Sequence, residues 1–190
     1  MTDGREDDKN IYGFKIESQT ELAPDIDMYK IYNGKTESYD YLIVAKDNHN
    51  LQLCVAVDEN NTLVEKLPKD SILYADFPLI GSHEFPFPCF INSHIFWPDE
   101  ERSSIILSYS SYAELNRRLL YRTTILYRKL MSYLITDRKY KGITKLSLLS
   151  GQIPKDIQQE KDWYIKNVLN KNISSVCSLN LVKTESGERR

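Results

Sequence analysis

The sequence predicts an α+β fold in which a mostly antiparallel sheet of about five to six strands carries two main helices on one face. Three observations lead to this prediction. Runs rich in β-branched and aromatic residues alternate with turn residues between positions 28 and 57. A segment dense in aromatic residues and prolines follows at 77–102. From residue 111 onward apolar residues recur at helical spacing, so most strands precede the helices along the chain.

The predicted strands are short and are separated by turn signals. Asn33-Gly34 and the polar run KDNHN at 46–50 divide residues 28–57 into two or three antiparallel strands. Further strands are predicted at 71–77 (SILYADF), 88–93 (PCFINS) and 103–108 (SSIILS). Because proline donates no ladder hydrogen bond, the prolines at 78, 86, 88 and 98 confine the intervening parts to loops, sheet edges or strand starts.

Two helices are predicted in the second half of the chain. Ser111 followed by Glu114 is a capping-box pattern, and an apolar stripe at helical spacing extends from it to Leu134. The run ITKLSLLS at 143–150 predicts one more strand. A second helix is expected to start near Pro154, since proline suits a first helical turn, and to end near 170–172.

Length and composition predict one folded body with loose ends. The 190 residues, of which 41% are hydrophobic, can bury a real core, which we place at 11–175 between charged tails at 1–10 and 176–190. The 25 basic and 27 acidic residues nearly cancel, so no whole-protein field favours nucleic acid or an anionic membrane. No apolar run reaches the ~20 residues of a membrane span. Three cysteines without a CxxC pair indicate free thiols, and we expect a cytoplasmic protein.

Enzyme signatures are absent from the sequence. It contains no GxxxxGK[ST], GxGxxG, HExxH or GxSxG motif. His83, Cys89 and His94 lie in the aromatic segment and are an alternative metal or nucleophile site, but exposed loop histidines are the simpler interpretation. The three acids at 99–101 are likewise interpreted as a turn exposed to solvent. We therefore predict neither an enzyme nor a metal site.

Arg102 follows those acids and has two interpretations. Its guanidinium can reach across a domain boundary to a phosphate, as an arginine finger does. It can equally pair with its acidic neighbours. From the residues alone both interpretations stay open.

The first predicted helix has an excess of positive charge. Tyrosines are interleaved with basic residues there, which favours a nucleic-acid-binding module as an alternative function. A solvated helix face is the competing interpretation, because the basic residues spread around much of the helical wheel. The candidate nucleic-acid residues are Arg117, Arg118, Arg122, Arg128 and Lys129.

The segment FPLIGSHEFPFPCFINSHIFWPDEER at 77–102 also carries a family resemblance. It is similar to the pattern FPLIGSE.F.FPF.INS..F.PTE.R, which follows the nucleotide-binding domain in bacterial sacsin-like proteins of the Bergerat-fold (GHKL) ATPases. The likeness covers residues 74–120 well and 28–170 loosely. The family's magnesium-binding Asn, its Asp-x-Gly-x-Gly loop and its glycine-rich lid have no counterpart in this chain. The chain thus resembles the transducer region without the ATPase domain.

The resemblance implies a fold, a function and a set of site residues. It implies the left-handed βαβ transducer fold and a non-catalytic transducer or interaction domain of a chaperone-type ATPase. ATP and magnesium would be held by a separate Bergerat-fold domain, and this chain alone would bind no cofactor. Arg102 is then the candidate phosphate-sensing residue. The residues expected at the domain interface are Phe77, Pro78, Phe85, Phe87, Phe96 and Trp97.

Overall fold

The computed structural model describes residues 14–34, 37–65, 71–85, 87–108, 110–147, 149 and 155–179. These residues form a mixed sheet and two main helical segments, which confirms the predicted α+β class. The strands are β1 (Phe14–Ala23), β2 (Ile26–Asn33), β3 (Ser38–Lys46), β4 (Gln52–Val57), β5 (Leu73–Ala75), β6 (Phe77–Pro78) and β7 (Phe90–Asn92).

The seven strands lie in the order β1-β2-β3-β4-β7-β5-β6. Only the pair β5–β7 is parallel, and every other neighbouring pair is antiparallel. The predicted antiparallel strands between 28 and 57 are confirmed as β2, β3 and β4, whereas β1 is a strand that the sequence patterns did not predict. Most residues of β1 are charged or polar, so apolar and polar residues do not alternate clearly along it. The strand is defined by its pairing with β2.

One face of the consecutive antiparallel strands β2, β3 and β4 contributes sheet residues to the hydrophobic core. Ile43 pairs with Val55 and Ala45 pairs with Leu53, and these four side chains are buried. Alternate residues point to the opposite face, as the period of a strand requires. The β1–β2 and β3–β4 turns contain Asp25 and Asn50 with φ of 61° each, and Asp and Asn tolerate this left-handed conformation better than most residues.

The long helix α1 (Ser111–Thr136) is confirmed, but its cap differs from the prediction by one residue. Ser110 is the N-cap, and its hydroxyl accepts a hydrogen bond from the Ala113 amide at 3.0 Å. Glu114 pairs with Arg118 at 2.9 Å and does not close a capping box. Helix α1 packs its apolar face against β3 and β4.

The second helical segment changes its geometry along its length. A 3₁₀ turn (Lys155–Glu160) leads into α2 (Lys161–Tyr164), a π-helical turn (Ile165–Leu169) and α3 (Asn170–Cys177). It therefore ends several residues after the predicted end and includes the first two residues of the predicted tail at 176–190. Pro154, the predicted start, and the tails at 1–10 and 180–190 lie outside the described residues.

Two predicted strands are wrong. Residues 103–108 make only an isolated bridge between Pro98 and Ile105, because the amides of Ser103 and Ser104 donate to the Asp99 carboxylate. The predicted strand at 143–150 begins instead as a 3₁₀ helix (Ile143–Ser147), whose Ile143 and Leu146 are buried. The Tyr127 hydroxyl donates to the Leu146 carbonyl and joins this turn to α1.

Two global features bear on the predicted function. In the described part of the chain no strand follows α1, so the βαβ unit implied by the family resemblance is not seen there. None of the described helices combines the length and the apolar character that crossing a membrane requires.

Candidate interaction surface

Three of the six predicted interface residues belong to the core. Phe85, Phe87 and Phe96 are each at most 3% exposed, and Phe85 meets the Tyr164 ring edge-on at a centroid distance of 6.1 Å. Their assignment to an interface is corrected, because a partner cannot contact a side chain that the fold itself covers. These residues instead support the loops that carry the exposed ones.

One exposed part of the aromatic segment forms what we call the Phe77 surface, which consists of Phe77, Pro78, Ile80 and Arg102. Phe77 is 68% exposed and Ile80 is 77% exposed, and Pro78 and Arg102 are exposed as well. The Ile80 amide donates to the Arg102 carbonyl at 3.3 Å, which brings the two loops together. Two large apolar side chains are thereby displayed beside a guanidinium group.

Arg102 makes no ion pair with the acids that precede it. Its Nη2 donates to the Ala75 carbonyl at 3.3 Å, and this is a long hydrogen bond. The Asp99 carboxylate is occupied by Ser103 and Ser104, which donate to it at 2.7–3.0 Å. The alternative of pairing with acidic neighbours is therefore not seen, and the guanidinium stays available at the surface.

The backbone beneath the Phe77 surface is strained. Arg102 adopts φ of 53°, a left-handed conformation that is uncommon outside glycine, and Asp76 adopts φ of 62°, which Asp tolerates better than Arg. Gly81 lies so close to the Arg102 loop that a Cβ atom would come within 2.8 Å of the Ser103 carbonyl oxygen. Strained, tightly packed loops of this kind concentrate at functional sites, because surrounding structure must maintain them.

Two buried polar side chains hold these loops in place. The Ser82 hydroxyl accepts from the amides of Ile72 and Leu73 and donates to the Leu79 carbonyl at 2.6 Å. Asn116 on α1 uses its side-chain amide: the oxygen accepts from the backbone N–H of Trp97, and the nitrogen donates to the carbonyls of Trp97 and Ile106. These hydrogen bonds are 2.8–2.9 Å long. Both side chains are fully buried, so the loops are anchored to β5 and to α1.

A second exposed aromatic feature lies at Trp97, the first residue of the 97–106 loop. Trp97 stacks on Tyr112 with ring centroids 3.9 Å apart and an interplanar angle of 5°. Both rings are close to half exposed. Trp97 also borders an apolar cleft of about 540 Å³, which is lined by His94, Ile95, Phe96, Trp97, Pro98 and Leu115.

The three residues of the alternative enzyme site differ in burial. Cys89 is buried, whereas His83 and His94 are exposed, and His83 contacts the Ile80 carbonyl of its own turn. Burial raises the pKa of the Cys54 thiol to about 12, so this group is not a thiolate at neutral pH. The described residues contain no group of three His, Cys, Asp or Glu side chains placed to hold a metal ion.

Most of the basic residues proposed for nucleic-acid binding are already engaged. Arg122 pairs with Asp47 at 2.7 Å, Lys129 with Asp25 at 2.6 Å and Arg118 with Glu114. Arg117 lies over the Trp163 ring. Of the five candidates only Arg128 is exposed without such a contact. The nucleic-acid alternative therefore loses much of its charge to pairs within the fold.

Ile80 and Tyr112 are surface residues that were not predicted as site residues. Ile80 is adjacent to buried Leu79 and lies in a short 3₁₀ turn (Ile80–Glu84), where one apolar residue faces the core and the next faces solvent. The signal that could have found it is the second of two consecutive apolar residues after Pro78, outside any regular periodicity. No protein-family model, curated protein or solved structure matches this chain. The structure thus shows an α+β fold with exposed aromatic and apolar side chains, and the family of the chain stays a prediction.

Proposed function

We propose that this chain is a non-catalytic transducer or interaction domain that couples the nucleotide state of a separate sacsin-like, Bergerat-fold ATPase domain to partner binding. The observation that carries the proposal is the exposure of Phe77 and Ile80 beside Arg102. The choice of partner rests on the resemblance of residues 77–102 to the region that follows such ATPase domains.

The composition of the Phe77 surface suits protein docking. Aromatic residues are enriched where interfaces bind most tightly, and a Phe side chain gains about 1.5–3 kcal/mol when a partner covers it fully. The anchors Ser82 and Asn116 hold the supporting loops before any partner arrives. Pre-ordered loops lower the entropic cost of association.

Arg102 would supply the link to the nucleotide. Its guanidinium is exposed and has one long hydrogen bond to a backbone carbonyl, so it can turn toward a phosphate at small cost. Planar guanidinium groups bind phosphate oxygens in bidentate fashion and stabilise charge during phosphoryl transfer. Docking through Phe77 and Ile80 and sensing through Arg102 are therefore separable roles.

The test combines this chain with a purified sacsin-like Bergerat-fold ATPase domain from the same genome. We expect the chain to increase ATP hydrolysis by that domain. Phe77→Ser with Ile80→Ser should weaken the complex at least tenfold, because two apolar contacts are lost. Arg102→Ala should leave the affinity nearly unchanged and abolish the gain in hydrolysis. Unchanged hydrolysis with the wild-type chain would refute the proposal.

Two controls separate docking from general effects. Ile125→Ser removes another exposed apolar side chain, 59% exposed on α1, and should change neither affinity nor hydrolysis. Calorimetric titration of the chain alone with ATP and magnesium should give no binding heat. Clear binding of ATP by the isolated chain would contradict the assignment of the nucleotide to a separate domain.

A further inference from the structure

A polar cleft between α1 and the second helical segment has no part in the proposed docking. It has a volume of about 340 Å³, and its lining contains no residue of the Phe77 surface. It is lined by Glu114, Arg117, Arg118, Tyr121, Trp163 and Asn167. Its size falls within the range of sites that bind small ligands or single side chains.

Arg117 is the unusual residue of this cleft. Its guanidinium carbon lies 5.5 Å from the centroid of the Trp163 ring, and its Nε is buried without a hydrogen-bond partner. No carboxylate of the described residues lies within salt-bridge distance of it, although the neighbouring cations Arg118 and Arg122 are both paired. A partly desolvated, unpaired guanidinium is costly, and an anion that enters the cleft would offset this cost.

The helix geometry around Trp163 also favours a binding role. The π-helical turn Ile165–Leu169 begins two residues after Trp163 and widens the backbone there, and such turns occur frequently at functional sites. The Asn167 side chain donates to the Trp163 carbonyl at 2.8 Å, which leaves its Oδ1 as a free acceptor. The cleft thus offers one cation, one acceptor and the aromatic faces of Trp163 and Tyr121.

The net charge of the cleft indicates which class of ligand it binds. Arg118 is neutralised by Glu114, so the cleft presents one uncompensated positive charge, on Arg117. A carboxylate matches a planar guanidinium in charge and geometry. A chain of phosphates would need several free cations, and Arg122 and Lys129 on the same helix are paired with Asp47 and Asp25. An apolar neighbour of the carboxylate could pack on the two aromatic rings.

We propose that this cleft binds an acidic peptide, with a Glu or Asp carboxylate on Arg117 and an adjacent apolar side chain against Trp163 and Tyr121. This goes beyond the ATPase-linked function, since the residues differ and the ligand is a peptide. The test needs no ATPase domain, so its outcome is independent of the proposal for the Phe77 surface.

The binding test uses the full chain and the peptide Ac-Leu-Glu-Leu-NH₂. Its neutral control is Ac-Leu-Gln-Leu-NH₂, which has nearly the same shape. We expect the glutamyl peptide to shift the Trp163 indole N–H resonance in a saturable way, with roughly tenfold higher affinity than the control, as one charge-assisted hydrogen bond supplies. Equal affinities of the two peptides, or no shift of Trp163, would overturn the proposal.

A matched pair of variants identifies the residue responsible. Arg117→Gln should weaken the glutamyl peptide roughly tenfold. Arg128→Gln removes an exposed, unpaired cation from the same helix and should have no effect. If Arg117→Gln does not fold, Arg117→Lys keeps the charge but loses the planar guanidinium and should still weaken binding. An equal loss in the Arg117 and Arg128 variants would show a general charge effect and refute the site.

Two further probes distinguish the source of the anion. N-acetylglutamate amide carries the same carboxylate without the flanking leucines and should bind more weakly than the peptide. If it binds equally well, the ligand is a free carboxylic acid and the peptide assignment is wrong. Inorganic phosphate or an oligothymidylate that binds more tightly than the peptide would likewise overturn the proposal.

Discussion

Asn116 shows how one buried amide joins the aromatic segment to the long helix. Asn is a poor helix former, yet this residue lies inside α1 and is fully buried. Its side chain satisfies the N–H and the carbonyl of Trp97 and the carbonyl of Ile106. The cost of a polar residue in the core is therefore offset by three hydrogen bonds that position the 97–106 loop.

We expect Asn116→Ala to destabilise the protein strongly. The change leaves the Trp97 backbone N–H and the Ile106 carbonyl without a partner in a partly buried region, whereas the Trp97 carbonyl still accepts from the Ile106 amide at 3.2 Å. Each unsatisfied group costs about 1–3 kcal/mol. A net loss of about 2–4 kcal/mol in the free energy of unfolding is expected, since local rearrangement restores part of it. Urea denaturation measures it. Arg118→Ala, at an exposed ion pair, should cost less than about 0.5 kcal/mol, and equal losses would contradict the role of Asn116.

Among the ion pairs of the described residues, Asp27 is the most buried carboxylate, with 3% of its side chain exposed. It lies opposite Val44 on the sheet face away from Ile26 and Ala45. Lys46 donates to it at 2.6 Å and Gln19 at 2.8 Å. The Lys46 hydrogen bond lowers the pKa of Asp27 and outweighs the opposing effect of burial. The same contact raises the pKa of Lys46.

The lowered pKa predicts how stability depends on pH. Because the folded pKa lies below the unfolded value of about 3.9, the Asp27 carboxylate stabilises the fold fully above that value. This contribution is lost as the pH falls through the folded pKa. Asp27→Asn should lower stability at neutral pH and flatten its decline below about pH 4.

Chemical denaturation between pH 7 and pH 2 would measure this effect, with Asp40→Asn as the control. Asp40 is exposed on β3, and its variant should keep the steep acid decline of the wild type. An Asp27→Asn protein with an unchanged acid slope would show that other carboxylates dominate.

At the scale of elements, α1 is connected to two turns of the sheet by ion pairs. Arg122 pairs with Asp47 after β3, and Lys129 pairs with Asp25 between β1 and β2. Burial alone would raise the pKa of Asp47, but hydrogen bonds from the His49 amide and from Arg122 lower it. The two pairs differ in exposure, since the Asp47 side chain is 13% exposed and the Asp25 side chain is 58% exposed.

Double-mutant cycles should separate the two pairs. For Asp47→Asn with Arg122→Gln we expect a coupling energy of about 1 kcal/mol or more, because this pair is largely shielded from water. For Asp25→Asn with Lys129→Gln we expect less than about 0.5 kcal/mol, as is usual for exposed pairs. Unfolding free energies of the single and double variants give both values. Equal couplings would mean that burial does not determine the strength of these contacts.

At the scale of the whole molecule, the fold brings acidic and basic residues from distant segments together. The sequence has nearly equal numbers of basic and acidic residues, and the acids of the sheet turns lie against the basic residues of α1. A helix that looks strongly basic in the sequence is thus partly neutralised in three dimensions. This is the physical reason for which we favour protein docking over nucleic-acid binding.

We therefore expect no stable binding to nucleic acid. Gel retardation with single- and double-stranded oligonucleotides at about 50 mM salt, where phosphate contacts are strong, should show no complex. A complex that weakens steeply with added salt would restore the nucleic-acid alternative. In that case Arg128→Gln should weaken it, because Arg128 is the one of the five candidate residues that is exposed and makes no described ion pair or ring contact.

Sequence patterns predicted the elements that depend on local periodicity. The strands β2 to β4 and the helix α1 follow alternation, turn residues and an apolar stripe, and each was identified. The prediction failed where local preference and packing disagree. Residues 143–147 have a strand-like composition but form a 3₁₀ turn, because this turn buries Ile143 and Leu146 and its Leu146 carbonyl accepts a hydrogen bond from the Tyr127 hydroxyl. Strand β1 was missed, since pairing with β2 rather than its own pattern defines it.

For the site, the sequence indicated the segment and tertiary structure decided which of its residues are exposed. Proline and aromatic density at 77–102 was enough to predict stiff loops and an unusual surface. Only the fold placed Phe85, Phe87 and Phe96 inside, left Phe77 and Ile80 outside, and positioned Arg117 over Trp163. The reason is that burial and unpaired charge depend on which distant segments meet, and no periodicity within one segment contains that information.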